Sequence, residues 1–86
     1  MVFQVLLTKK AEKAIDSLSE GYRLKVIQAL RGVKSDPFFG KKLLGKKKGQ
    51  YSVRVWPYRI IYRVEKKLLV IVVIDIDHRQ GVYKNR

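Results

Sequence analysis

The sequence predicts an α+β fold: an N-terminal strand, a two-helix hairpin, then a three-stranded antiparallel β-meander. Three observations predict it. An alternating apolar run opens the chain, two apolar stripes at helical spacing precede Pro37, and three β-rich runs follow Gln50. The connections between the last three strands are too short for a crossover, so those strands are expected to be antiparallel. All the strands are expected in one sheet, with the helices on one of its faces.

Phe3, Val5 and Leu7 alternate with Val2, Gln4 and Leu6, which is the period of a strand. Thr8 follows, and its hydroxyl can accept a free backbone N–H where a helix starts. Ala11, Ala14, Ile15 and Leu18 then form one apolar stripe. Ser19-Glu20-Gly21 interrupts, and a second helix is expected from near Tyr22, with Val26, Ile27, Leu30 and Val33 on the same side. Asp36-Pro37 ends it, because proline disfavours helical geometry at the residue before it.

Phe38 to Gly49 reads as a loop carrying Lys41, Lys42, Lys46, Lys47 and Lys48, with Leu43 and Leu44 as anchors to the core. Tyr51, Val53 and Val55 alternate with Ser52, Arg54 and Trp56 as a strand, and Pro57 turns the chain. Tyr58 to Val64 is a second β run. Glu65-Lys66-Lys67 leads into Leu68–Ile74, a continuous apolar run of the kind that forms a central strand. Asp75 to Arg86 is expected to end that strand and continue as a polar tail.

The 86 residues suffice for a single domain spanning 1–86. With 47% apolar residues the chain is not a disordered tail. It has no cysteine, which excludes disulfides and thiolate metal sites. The N-terminus lacks the pattern of a signal peptide, and the longest apolar run falls far short of the roughly 20 residues of a membrane helix. A cytoplasmic protein is expected. Twenty Lys and Arg against seven Asp and Glu give a net charge of +13. Such an excess repels itself, and an anionic partner is the simplest reason to keep it. Nucleic acid is favoured over membrane, since no basic helix with a bulky apolar side is visible.

Alternation also sorts the strand side chains by face. If Tyr51, Val53 and Val55 meet the helices, Ser52, Arg54 and Trp56 point away. Tyr58, Ile60, Tyr62 and Val64 are the more apolar set of the next strand, so Arg59, Ile61 and Arg63 point away with them. Arg54 and Arg59 then share the open face. His78, Arg79 and Tyr83 are expected to reach it from the chain end.

Asp36-Pro37-Phe38, Leu44-Gly45, Gln50-Tyr51, Arg54, the run Tyr58–Arg63 (YRIIYR), His78-Arg79 and Val82-Tyr83-Lys84 together resemble the RelE/ParE toxin superfamily over nearly the whole chain. The resemblance implies a RelE-like toxin of a type II toxin–antitoxin system. Such toxins are endoribonucleases (mRNA interferases) that cut mRNA on the ribosome and are neutralised by a cognate antitoxin protein. It implies attack of a ribose 2′-hydroxyl on the adjacent phosphate, giving a cyclic phosphate and a 5′-hydroxyl. No metal or other cofactor is needed if arginines hold the phosphorane charge.

Carried onto this sequence, Arg59 matches the arginine of the family's YR motif, Arg79 the arginine near the C-terminus, and Tyr83 the terminal tyrosine. Arg54 stands where a basic residue precedes the YR motif. Well-known bacterial members carry two lysines on that strand; here the positions hold Ser52 and Arg54. An arginine is a poor base, because it stays protonated, so His78 is the expected base. Trp56-Pro57 replaces a frequent Gly-Asp turn, and Trp56 is a platform on which a base can stack. Lys41, Lys42, Lys46, Lys47 and Lys48 are expected to track phosphates.

Plainer readings stand beside these. The arginines can be solvated strand positions, His78 a strand-end residue, Tyr83 a core plug and Trp56 a packing residue. Asp75 and Asp77 resemble a metal pair but lack a third ligand, so no metal site is expected. A ParE-like gyrase inhibitor and a non-catalytic RNA- or ribosome-binding module are the alternative functions.

Overall fold

A single hydroxyl ties the start of the first helix to the last strand of the sheet. In the computed structural model, which describes residues 2–43, 45 and 49–78, Thr8 lies between strand β1 (Gln4–Leu7) and helix α1 (Lys9–Asp16). Its Oγ1 accepts from the Ala11 N–H at 3.1 Å and donates to the Ile74 carbonyl at 2.7 Å. The cap satisfies one of the free N–H groups of the helix start and ties that start to a distant strand.

Helix α2 follows at Glu20–Ser35. It begins earlier than the expected start near Tyr22, and Gly21 lies within it. Arg23 reaches back and donates to the carbonyls of Ile15, Asp16 and Leu18 at 2.9–3.3 Å. These bonds span the turn between the helices and tie α2 to the end of α1. Asp36 ends α2 one residue before Pro37.

The rest is strand: β2 (Lys41–Lys42), β3 (Gln50–Val55), β4 (Tyr58–Glu65) and β5 (Val70–His78). The five strands form one sheet in the order β1-β5-β4-β3-β2. β1 runs parallel to β5, and the other pairs are antiparallel. Two boundaries differ from expectation. β2 lies inside the segment read as a loop. β5 starts at Val70 and not Leu68, because Leu69 adopts a left-handed turn conformation (φ 53°) and Leu68 is exposed.

The helices cover one sheet face. Ala11 and Ile15 from α1, Leu18 from the turn after it, and Val26 and Val33 from α2 are buried against Tyr51, Ile60, Tyr62, Ile71, Val73 and Ile76 of the sheet. Removing each such Val, Leu or Ile side chain from water stabilises the fold by about 1.5–3 kcal/mol. The stripe expected on α2 is only partly buried, with Tyr22 and Ile27 remaining exposed. Among the described residues, no helix is long and apolar enough to cross a membrane.

An aromatic column runs from this core toward β2. Phe38 meets Tyr51 edge-on at 5.9 Å, and Tyr51 stacks on Tyr62 at 5.5 Å. The fully buried Tyr62 hydroxyl donates to the Pro37 carbonyl at 2.9 Å and accepts from the Gly40 N–H at 3.1 Å. Burial pushes its phenol above the usual pKa, partly offset by the Gly40 N–H, so it stays a neutral donor. A Cβ at residue 40 would collide with that hydroxyl and come within 3.0 Å of the Ser52 carbonyl oxygen. Only glycine fits this approach.

Candidate nucleic-acid interface

The register of the sheet sets what gathers on the face away from the helices. Tyr51 pairs with Tyr62 and Val53 with Ile60, all toward the helices. The alternating residues therefore emerge on the other side. One cross-strand row there reads Lys41, Ser52, Ile61, Asp75, and the next reads Arg54, Arg59, Asp77. Ser52 and Ile61, expected to be exposed, are buried in the middle of the first row.

The second half of β5 reaches this arrangement through a bulge. Ile61 pairs with Asp75 but Tyr62 pairs with Val73, so Ile74 is an extra residue on β5. Before it, Ile71 and Val73 face the core; after it, Ile76 does. A bulge shifts the alternation by one residue, and this shift turns Asp75 and Asp77 to the open face.

Lys41, Ser52, Arg54 and Arg59 line an open pocket of about 240 Å³. This is below the roughly 300–1,000 Å³ of a small-molecule cleft and leaves room for a phosphate group together with part of what it is attached to. Three cationic side chains around one concavity make an anion site, and the arginine forks can each hold two phosphate oxygens. Trp56, 59% exposed, and Pro57 form the turn at the β3–β4 end of the pocket.

Asp75 lies at the far end of its row. Burial opposes its ionisation, but a hydrogen bond shared with Asp77, the Lys10 ammonium at 3.2 Å and the Ile76 N–H at 2.8 Å outweigh it. Its carboxyl is held below the usual range. This carboxylate is therefore committed to Lys10 and its neighbours.

The pocket unites Arg54 and Arg59 as expected, and adds Lys41. Two expectations need correction. His78 pairs with Tyr58, a helix-side residue, and their rings meet edge-on at 5.1 Å. Tyr58 in turn meets Tyr22 of α2 at 5.4 Å. The bulge thus places His78 on the face opposite the two arginines. Lys42 pairs with Tyr51, so alternation turns it away from the pocket too. Lys46, Lys47, Lys48, Arg79 and Tyr83 lie outside the described residues. The placement of Lys41 beside Ser52, and of Asp77 opposite Arg59, went unread in the sequence. A two-residue lysine strand has no period to betray it.

The ParE toxin family of type II toxin–antitoxin systems (parDE) matches the chain over residues 5–83. Toxin RelG of Mycobacterium tuberculosis is 27% identical over 86 residues, covering 98% of this chain and 99% of RelG. The toxin–antitoxin complex RelBE2 of Mycobacterium tuberculosis contains a chain with a TM-score of 0.83 and 26% identity, covering 92% of this chain and 93% of that one. The archaeal RelE–RelB complex of Pyrococcus horikoshii gives 0.77 and 27%, covering 92% and 97%. The residues that line the pocket fall within the matched region, and the sheet that carries them has the toxin architecture. This chain therefore belongs to the ParE toxin family of type II toxin–antitoxin systems, within the RelE/ParE superfamily.

Proposed function

We propose that this toxin is a metal-independent endoribonuclease that cleaves mRNA on the ribosome. One observation carries the reading: Lys41, Arg54 and Arg59 converge on one pocket of the open sheet face. Transesterification by a ribose 2′-hydroxyl builds negative charge on a pentavalent phosphorane. Guanidinium groups lining the pocket favour that charge. Arg54 and Arg59 hold the phosphate oxygens. Arg79 and Tyr83 are assigned by resemblance alone, as a further cation and as a stacking or proton-transfer group. Trp56 is an exposed ring at the pocket's end on which a neighbouring base can stack. The substrate places the toxin in the cytoplasm.

A cognate antitoxin is the proposed protein partner. A groove of about 310 Å³ between α2 and β1 is lined by the apolar Val5, Leu7, Ile27 and Leu30 and by the cationic Arg31 and Lys34. An amphipathic antitoxin helix with acidic flanks matches both features.

The test is to incubate the purified chain with translating ribosomes and map new RNA ends. Expected are 5′-hydroxyl ends that appear without added divalent metal beyond what the ribosome needs. Arg59→Ala should slow their formation by about 10²–10³-fold. Intact mRNA in the presence of folded protein would overturn the reading. Gyrase inhibition is the second reading, favoured by the match to a ParE family. A supercoiling assay on the same preparation separates the two.

A further inference from the structure

Resting on the nuclease reading, we infer that Lys41 is the general base that takes the proton from the attacking 2′-hydroxyl. The pocket is lined by Lys41, Ser52, Arg54 and Arg59. A guanidinium does not give up its proton in a protein, whereas a lysine amine exchanges one readily. The Ser52 hydroxyl is buried and is too weak a base to act alone. His78 packs against Tyr58 on the other face. Asp75 is engaged by Lys10 and lies two strands from Ser52, roughly 10 Å away at a strand spacing of about 4.8 Å. Of the pocket's side chains, that leaves the Lys41 amine.

The fold also holds Lys41 in place from both sides. On one side the Gly40 N–H donates to the buried Tyr62 hydroxyl at 3.1 Å. On the other the Leu43 N–H donates to the Gln50 carbonyl at 2.9 Å. Between these anchors Lys41 pairs directly with Ser52. The short serine leaves room above it for a long side chain from the next strand. The strand that lacks a lysine at residue 52 is thus served by one at residue 41.

In the step this assigns, the unprotonated Lys41 amine accepts the 2′-OH proton as the 2′-oxygen bonds to phosphorus. The P–O5′ bond breaks, and its electron pair stays on O5′, which takes a proton from water. The resulting hydroxide is neutralised by the proton that Lys41 then releases. No water is consumed, and the products are a 2′,3′-cyclic phosphate and a 5′-hydroxyl.

The test compares wild type with Lys41→Arg, Lys41→Ala, Asp77→Asn and the distant Lys67→Ala on ribosome-bound mRNA. Folding is checked by circular dichroism, and binding is checked with a 2′-O-methyl RNA that cannot react. Both Lys41 variants should lose about 10²–10⁴-fold in cleavage rate, while Lys41→Arg binds the blocked RNA as wild type does. The rise in rate with pH should disappear in Lys41→Ala and be partly restored by added methylamine. Lys67→Ala should cleave normally. Lys41→Arg cleaving within about threefold of wild type would overturn the assignment, as would loss of the pH-dependent rise in Asp77→Asn alone. If wild type arrests translation and leaves RNA uncut, the nuclease reading itself fails, and the assignment goes with it.

Discussion

Arg54 stands directly across the β3–β4 ladder from Arg59. Like charges in directly opposed positions destabilise a sheet, on the scale of roughly 0.2–1 kcal/mol per cross-strand pair. Arg54→Thr should therefore raise stability by about that amount in urea unfolding, while mRNA cleavage falls at least about 10²-fold. A variant that loses stability and activity together would mean that the pair is structural.

Thr8 joins α1 to the bulged strand through one oxygen atom. Thr8→Ala removes the cap, at a cost of about 0.5–2 kcal/mol, and leaves the Ile74 carbonyl without that donor. Thr8→Ser retains the hydroxyl and should recover most of the loss. Chemical denaturation of the two variants checks this.

The Tyr62 hydroxyl serves Pro37 and Gly40 inside the protein. Tyr62→Phe keeps the ring and strands both backbone groups, which should cost about 1–3 kcal/mol. Gly40→Ala attacks the same contact by collision and should lower stability as well. Urea midpoints of the two variants, read against wild type, give the result.

Stability should fall in acid partly through Asp75. Its folded-state carboxyl titrates below the usual value of about 3.9. The stabilisation is present above that unfolded value and is lost as pH drops through the folded one. Lys10 is mostly exposed, so its share is modest. Unfolding free energies measured from pH 6 down to pH 2 should decline less steeply in Asp75→Asn than in wild type.

Much of this arrangement was legible in the sequence. Alternation from Tyr51 to Val55 and from Tyr58 to Val64 gave the faces of β3 and β4, and with them the common face of Arg54 and Arg59. Thr8 and Pro37 marked helix ends through local chemistry alone. What escaped depends on long-range register. The run from Val70 to Ile74 is apolar at every position, so the phase change at Ile74 leaves no mark in it, and the side taken by His78 depended on that change. β2 exists through its pairing with Tyr51 and Ser52 of β3, and not through any strand propensity in two lysines. The parallel pairing of β1 with β5 likewise joins segments from opposite ends of the chain.

A core phenol holds the backbone beside Lys41, so the proposed activity is tied to the protein's interior. A genetic selection for cells that survive the unneutralised toxin should return lesions well away from any surface that RNA touches. Changes under the Phe38–Tyr51–Tyr62 column would let residue 41 drift while the protein still accumulates. Survivors of this class would make full-length, antitoxin-binding protein that no longer kills.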